Sequence, residues 1–172
     1  MVKNHNVNEE VKMLSKRDLV NSANQEEQQI SEDIIRDFLL SAALQERASV
    51  IDYVENVGLH PDTTCGGKPT ALCFALMKKN ISMAKYFISK GADINHSDQM
   101  GMTPLHYAVL GGNVYCIAIL ISKGAKVNAT TKSDKTPLEF TIGKRHLADC
   151  QIYLLEAGAT LSLDAPIKVK YQ

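Results

Sequence analysis

Residues 103–108 have the sequence Thr-Pro-Leu-His-Tyr-Ala, which stands inside a pattern that recurs along this chain of 172 residues. Its first three residues recur as Thr-Pro-Leu at 136–138, and a close variant, Thr-Ala-Leu, precedes them at 70–72. Both intervals are 33 residues long. A constant period of this length predicts stacked copies of one small structural unit.

The middle unit has the pattern of a helix–turn–helix block. Thr103 is a good N-cap, and Pro104 suits the first helical position because its missing N–H has no helical partner there. The pair Gly111-Gly112 then ends this helix. The second helix carries apolar residues at helical spacing, namely Val114, Ile117, Leu120 and Ile121. Gly124 can adopt the left-handed conformation that stops it, and the polar segment 126–135 suits a hairpin-like turn.

Residues 103–129 resemble an ankyrin repeat, since they match the Thr-Pro-Leu-His-x-Ala and Gly-Ala-Asp-Val-Asn-Ala signatures of that family almost throughout. The resemblance implies an all-α fold, an ankyrin-repeat α-solenoid of stacked helix–turn–helix pairs joined by β-hairpin-like turns. The neighbouring units depart from the signature in places: Cys73 replaces the histidine in one, and Glu139 replaces it in the other. The later unit also carries a one-residue insertion near Arg145.

The repeats define the domain boundaries that we expect. An ankyrin repeat domain covers residues 31–163, after an N-terminal extension at 1–30 that is partly helical or disordered, and before a C-terminal tail at 164–172. The first unit is degenerate, with Asp-Phe-Leu at 37–39 in place of Thr-Pro-Leu. Degenerate end units suit a solenoid because each has one face without a neighbour. The four repeats have approximate boundaries 32–64, 65–97, 98–130 and 131–163.

The composition is that of an ordinary globular domain and argues against several classes of partner. Lys and Arg number 19, as do Asp and Glu, so the formal net charge is zero and the long-range attraction to nucleic acid or anionic membrane is missing. Residues 99–122 carry no formal charge, but Pro104 and Gly111-Gly112 divide them into two short helices. No signal-peptide core is visible, so we expect a cytoplasmic monomer that binds neither nucleic acid nor membrane.

No constellation in the sequence indicates catalysis, a metal or a cofactor. The four cysteines form no Cys-x-x-Cys pair, which argues against structural zinc. His60 and Cys65 suggest a nucleophilic pair, but they lie in a turn without a third orienting group. The segment 66–70, Gly-Gly-Lys-Pro-Thr, does not meet the requirements of a phosphate-binding loop, because Asp62 stands where the first glycine belongs and Pro69 stands directly after the lysine, where Ser or Thr is required. We therefore expect a non-enzymatic protein without cofactor, metal or small-molecule substrate.

The family resemblance places a binding surface on the turn tips and the exposed side of the first helices, which together form a concave face. Its apolar centre consists of Met100, Met102 and Leu110, and methionine suits a partner surface because it adapts its shape. Lysines flank that centre and would complement an acidic patch on a protein partner. The residues assigned to this face are Met77, Lys78, Gln99, Met100, Met102, Leu110, Lys132, Ser133, Lys135 and Lys144.

The function implied by the resemblance is protein–protein recognition, as a scaffold or adaptor. Two narrower roles rest on analogy: small ankyrin proteins inhibit cyclin-dependent kinases, and others are effectors that intracellular bacteria deliver into a host cytosol. Asn95 and Asn128 stand where some ankyrin repeats are hydroxylated.

Overall fold

The computed structural model describes residues 60, 62 and 67–162 of the chain. The expected N-terminal extension (1–30) and C-terminal tail (164–172), and almost all of the first repeat (32–64), lie outside the described residues. Residues 67–162 contain helices and turns but no β-strand. Their elements are α1 (Ala71–Met77), α2 (Ile81–Ser89), α3 (Pro104–Gly111), α4 (Val114–Ser122), two 3₁₀ segments (Leu138–Thr141 and Arg145–Leu147) and α5 (Ala148–Glu156).

The helices form two layers. The first helices of successive units pack on one another, α1 on α3 and α3 on the 3₁₀ segment Leu138–Thr141. The second helices form the other layer, in which α2 packs on α4 and α4 on α5. Each first helix also packs on the second helix of its own unit. The all-α solenoid predicted from the 33-residue period is confirmed.

Polar side chains set where the helices begin. Thr70 Oγ1 accepts a hydrogen bond from the backbone N–H of Cys73 (3.4 Å) at the start of α1. Asn80 Oδ1 accepts from the N–H of Met83 (3.1 Å) in α2, and Asn113 does the same for the first turn of α4. These caps satisfy N–H groups that have no acceptor within the helix, so the short helices start at defined residues.

The core lies between the two layers and consists of small and aliphatic side chains with two aromatic rings, those of Phe87 and Tyr107. Ala75 and Ala108 occupy equivalent positions in α1 and α3 and are completely buried, which lets the two helices approach closely. Gly111 serves the same purpose, because a Cβ atom there would lie 2.5 Å from the carbonyl oxygen of Leu76. The largest fully buried apolar side chains are Phe87, Leu72, Leu76, Leu105, Ile117, Leu120, Leu147 and Leu154.

The last unit departs from its neighbours in its first helix. The Thr-Pro-Leu motif at 136–138 predicts an α-helix like α3, but residues Leu138–Thr141 form a 3₁₀ segment instead. Thr141 is β-branched and therefore has lower helix propensity than Ala108 at the matching position of α3. The Thr141 hydroxyl donates to the Leu138 carbonyl (2.6 Å), and Gly143 follows with a φ of 74°. The segment therefore stops after one turn.

The inserted residue of the last unit is accommodated before its second helix. A second 3₁₀ segment, Arg145–Leu147, leads directly into α5. As a result α5 begins 34 residues after α4, whereas α4 begins 33 residues after α2. The loop absorbs the extra residue, so α5 keeps its place against α4.

Carboxamide side chains tie each unit to the next. Asn95 Oδ1 accepts from the backbone N–H of Lys126 (2.8 Å), while its Nδ2 donates to the carbonyl of Gly124 (3.2 Å). Asn128, one period later, makes the same pair of bonds to Thr160 and Gly158 (2.8 and 3.1 Å). Because one amide both accepts and donates, it fixes the end of the next unit's second helix relative to the preceding turn.

Candidate functional site

Two turns precede the first helices of the last two units, at residues 98–102 and 131–135, and we call them finger 1 and finger 2. In each finger the first residue donates its backbone N–H to the carbonyl of the last, Asp98 to Met102 (3.1 Å) and Thr131 to Lys135 (3.0 Å). This bond closes the turn as in a hairpin, which agrees with the hairpin-like turn expected from the sequence.

Finger 1 is held by a buried carboxylate. Asp98 Oδ1 accepts from the backbone N–H groups of Met100 (2.8 Å) and Met102 (2.9 Å). Asp98 Oδ2 accepts from the hydroxyl of Tyr107 (2.6 Å), which anchors the finger to α3. Burial, together with this hydrogen bond, raises the pKa of Tyr107 above its ordinary value, so the phenol remains a donor. The backbone that carries Met100 is therefore rigid.

Finger 2 uses a neutral side chain for the same purpose. Thr131 Oγ1 accepts from the backbone N–H groups of Ser133 (3.3 Å) and Lys135 (3.2 Å). Phe140 stands where α3 has Tyr107 and brings no hydroxyl, so no second acceptor is needed at position 131. Finger 1 therefore uses Asp98 together with Tyr107, and finger 2 uses Thr131 together with Phe140. Both pairs support the same type of turn.

Neighbouring turns are joined through their backbones. The N–H of Gln99 donates to the carbonyl of Gly67 (2.7 Å), and the N–H of Lys132 donates to the carbonyl of Met100 (2.9 Å). Gly101 permits this approach, since it has a φ of 76° and a Cβ atom there would lie 2.8 Å from the nitrogen of Lys132. The tips therefore lie side by side and form one continuous surface.

The predicted apolar centre is only partly exposed. Met100 and Leu110 present 59% and 39% of their surface to solvent. Met102 and Met77 are half-buried and pack against the core. Met77 and Leu110 occupy equivalent positions in α1 and α3, which touch where Gly111 meets the carbonyl groups of Leu76 and Met77. The structure thus leaves Met100 on the finger and Leu110 on the helix as the accessible apolar groups.

The polar residues assigned to the face are all exposed, but the charges of its lysines are not equally available to a partner. Lys135 Nζ lies 3.2 Å from Glu139 Oε1, so its charge is partly neutralised. Burial would raise the pKa of Glu139, but the Thr136 N–H and the Lys135 ammonium outweigh it and lower the pKa. The remaining exposed residues are Lys78, Gln99, Lys132, Ser133 and Lys144.

The ten assigned residues fall into two groups. Gln99, Met100, Lys132 and their neighbours belong to the fingers, before the first helices. Lys78 and Lys144 instead follow the C-terminal ends of α1 and the 3₁₀ segment Leu138–Thr141. A first helix of eight residues, such as α3, separates the two ends by about 12 Å. Lys78 and Lys144 therefore do not lie beside the finger tips.

His106 has a positioning role and no catalytic geometry. Its Nδ1 accepts from the backbone N–H of Thr103 (3.1 Å), and its Nε2 lies 3.1 Å from the carbonyl of Lys135 in finger 2. The Nδ1 acceptor role leaves the proton on Nε2, which donates to that carbonyl. Burial lowers the pKa of His106, and the bond to Lys135 opposes this only in part. The neutral ring holds finger 2 against α3 and packs edge-on against Phe140 (5.4 Å).

The nucleophilic pair suggested by His60 and Cys65 lies only partly within the described residues, and those residues hold no metal cluster. His60 accepts from the N–H of Asp62 (3.2 Å), whose carboxylate accepts from the N–H of Asp93, and Cys65 lies outside the described residues. Cys73 is buried, and burial raises the pKa of its thiol to about 11, the reverse of what a nucleophile needs. Among residues 60, 62 and 67–162, no group of three or more His, Cys, Asp or Glu side chains could bind a metal ion.

Two comparisons with known sequences bear on the family. The family model for ankyrin repeats (three copies) matches residues 37–131 and 72–164, which together span most of the chain. The chain therefore belongs to the ankyrin repeat family. Repeats of this family generally mediate protein–protein interaction, and its members are typically non-enzymatic. No curated protein matches the chain. In the part of the chain that the structure describes, no helix is both long and apolar enough to cross a bilayer.

Proposed function

We propose that this protein binds another protein through the concave face formed by the fingers and the first helices, acting as a monomeric adaptor. The observation that carries the proposal is Met100. Its large apolar side chain is 59% exposed at the tip of a finger that the buried Asp98 fixes. A flexible loop could fold such a side chain back onto the protein, whereas a finger held by these hydrogen bonds keeps it in solvent.

Rigidity gives this face an energetic advantage in binding. Ordering a loop and its side chains on association costs free energy, and finger 1 is already ordered by Asp98 and by its backbone bond to finger 2. Met100 and Leu110 would then supply the central apolar anchors on which affinity depends. An interface of ordinary size would bury about 800 Å² on this side.

Lysines around the anchors favour a partner with an acidic patch. Lys132 is exposed on finger 2 and has no ion pair among the described residues, so its charge is available to a partner. Exposed charges of this kind raise association rates more than they raise final affinity, and salt screens them. Lys135 contributes less because Glu139 already pairs with it.

The proposal includes a reducing, cytoplasmic compartment. Cys73, Cys116 and Cys150 are free thiols, which supports such a compartment. The kinase-inhibitor and effector roles are two particular cases of the same recognition. A protein kinase among the proteins bound by this face would favour the first.

The test starts from affinity capture with the full chain, followed by titration of the identified partner into purified variants. We expect Met100→Glu with Leu110→Glu to weaken binding about a hundredfold or more, because two central anchors would bring charge into the interface. Met102 is left intact because its half-buried side chain also packs on the core. Calorimetry measures the dissociation constant, and circular dichroism confirms the fold.

The matched control is Ile152→Glu with Leu155→Glu. Both side chains are exposed apolar groups, but they lie on α5 in the other helix layer. This variant should bind as the native chain does. Native affinity in the Met100/Leu110 variant would remove the concave face from consideration.

A further inference from the structure

The turns between first and second helices carry a second concentration of charge, on the edge of the stack farthest from the fingers. We call this region the turn edge and define it by Lys78, Lys79, Tyr115, Lys144 and Arg145. All five side chains are exposed. None of the four cations forms an ion pair with a described residue. One acidic residue lies beside these turns: Asp149, which is exposed in the first turn of α5.

The middle unit contributes glycines where its neighbours contribute cations. Lys78-Lys79, Gly111-Gly112 and Lys144-Arg145 stand at successive 33-residue intervals. Both glycines are closely approached: a Cβ at Gly111 would lie 2.5 Å from the carbonyl oxygen of Leu76, and one at Gly112 would lie 2.8 Å from Leu147 Cδ2. The middle unit thus packs closely on both of its neighbours at these two glycines.

The cation pairs of the two outer units follow their first helices and stand on either side of the middle unit. Burial raises the pKa of the Cys150 thiol in α5 and Asp149 adds to this, while Lys79 acts in the opposite direction. Lys79 follows α1, two units before α5, and the middle unit places two glycines rather than long side chains between the two cation pairs. The turn edge therefore carries two exposed cation pairs at equivalent positions of the stack.

Lys79 is held in a backbone conformation that favours glycine. Its φ is 62°, and the equivalent residue one period later is Gly112, with a φ of 71°. A side chain in this region is strained, so glycine at position 79 would relieve strain in the folded chain. A charged side chain kept at such a position points to a use for its charge.

Tyr115 adds an aromatic ring to the patch. It is the second residue of α4 and 74% exposed, the highest exposure among the large apolar side chains of the described residues. It belongs to the middle unit, between the Lys78-Lys79 and Lys144-Arg145 pairs. Tyrosine and arginine are the residue types that most often dominate protein–protein binding energy.

We propose that the turn edge is a second docking surface, which binds an acidic segment of the protein partner. Carboxylates of that segment would pair with the four cations, and an apolar side chain would pack on Tyr115. The inference rests on the proposed function, since both concern a protein partner. A polypeptide fits better than nucleic acid because the chain has zero net charge, and because a peptide can place an uncharged residue opposite Asp149 whereas every phosphate of a nucleic acid is charged.

The test uses the full chain and a fluorescein-labelled peptide of about twelve residues built from Glu-Glu-Leu repeats, with a Gln-Gln-Leu peptide as the neutral probe. Fluorescence anisotropy measures affinity at about 20 mM and about 150 mM salt. We expect Lys79→Gly with Lys144→Gln and Arg145→Gln to weaken binding of the acidic peptide about tenfold at the lower salt. Lys79→Gly alone should weaken binding without lowering the melting temperature.

The matched control removes the same charge elsewhere, through Lys85→Gln with Lys123→Gln and Lys126→Gln, all three exposed. This variant should bind the acidic peptide within about twofold of the native chain. Equal losses in both triple variants, tighter binding of a thymidine oligonucleotide of equal charge, or no binding of the acidic peptide would overturn the proposal. The single variant Met100→Glu should retain peptide binding because finger 1 lies at the opposite end of the first helices, so failure of the concave face and failure of the turn edge are distinguishable.

Discussion

Three different side chains at one position of the repeat support the start of the first helix. In the middle unit His106 Nδ1 accepts from the backbone N–H of Thr103. In the last unit Glu139 Oε2 accepts from the N–H of Thr136 (2.8 Å), so the carboxylate takes over the bond of the imidazole. In the earlier unit Cys73 Sγ accepts weakly from the Thr70 hydroxyl (3.3 Å). Departures from the family signature therefore change the chemistry of this position but keep its role.

The buried His106 predicts a dependence of stability on pH. Its pKa is lowered in the folded chain, so the unfolded chain binds the proton more tightly. Its contribution is complete above about pH 6.5, the ordinary pKa of histidine, and is lost as pH falls toward the folded value. Urea unfolding should show a loss of up to about 1.4 kcal/mol per pH unit in that range.

A matched histidine substitution separates His106 from the other histidines. His106→Gln should remove the pH-dependent loss just below pH 6.5, whereas His146→Gln, at an exposed position, should leave it in place. Glu139 produces a separate loss only below about pH 4.5, because its pKa is lowered from that ordinary value. A slope just below pH 6.5 that survives in the His106 variant would contradict this assignment.

At the scale of the helix, the spacing between the first helices of neighbouring units depends on a residue without a side chain. Gly111 is the last residue of α3, and its Cα faces the carbonyl groups of Leu76 and Met77 at the end of α1. Larger residues here would force the two first helices apart. The Met77 and Leu110 side chains would then separate, and the concave face would change shape.

Gly111→Ala should therefore destabilise the protein, against the usual trend for a helix. Replacing glycine by alanine inside a helix ordinarily stabilises by about 0.5–1 kcal/mol. Here the new methyl group would lie 2.5 Å from the Leu76 carbonyl oxygen, so we expect a net loss of about 1–3 kcal/mol in urea unfolding. A gain in stability would show that α1 and α3 can move apart freely.

The 3₁₀ segments of the last unit are the elements that the repeat pattern does not predict. Thr-Pro-Leu at 136–138 is the same start signal that precedes α3, and it does start a helical turn. The turn stops because Thr141 satisfies the Leu138 carbonyl with its own hydroxyl and Gly143 reverses the chain. The 33-residue period does not reveal that the Thr141 hydroxyl bonds the Leu138 carbonyl, because the other units have alanine in place of Thr141.

For the whole molecule, stability comes from contact between units. The middle unit packs through α3 on α1 and on the 3₁₀ segment Leu138–Thr141, and through α4 on α2 and α5. A single helix–turn–helix block buries too little surface to fold by itself. The described units should therefore unfold together, with the middle unit as the element that couples them.

Leu105→Ala tests this coupling. Leu105 is completely buried in α3, so we expect a loss of about 2–5 kcal/mol in the free energy of unfolding. Circular dichroism and tyrosine fluorescence, which is readable because the chain has no tryptophan, should give the same urea midpoint. Ile152→Ala, at an exposed position of α5, should change stability by less than about 0.5 kcal/mol. Separate midpoints for the two signals would mean that the units unfold independently.

The candidate site could be predicted in outline from the sequence, because the repeat register determines which positions belong to fingers and which to first helices. Register alone did not distinguish Met100, which is exposed, from Met102, which packs on the core. It also did not show that Glu139 neutralises Lys135. The alignment of Lys79 with Gly112 is a signal of its positive φ that was present in the sequence, because glycine is the residue that most readily adopts that conformation.

The amino-acid sequence by itself determined the period, the helix starts and the all-α solenoid, because N-caps, proline at the first helical position and glycine stops act over a few residues. The tertiary structure decided which side chains reach solvent and which charges meet. Met100 is exposed because Asp98 and Tyr107 hold its finger, and α1 and α3 approach closely because Gly111 brings no side chain between them. Exposure and long-range electrostatics depend on distances between units, which no local pattern specifies.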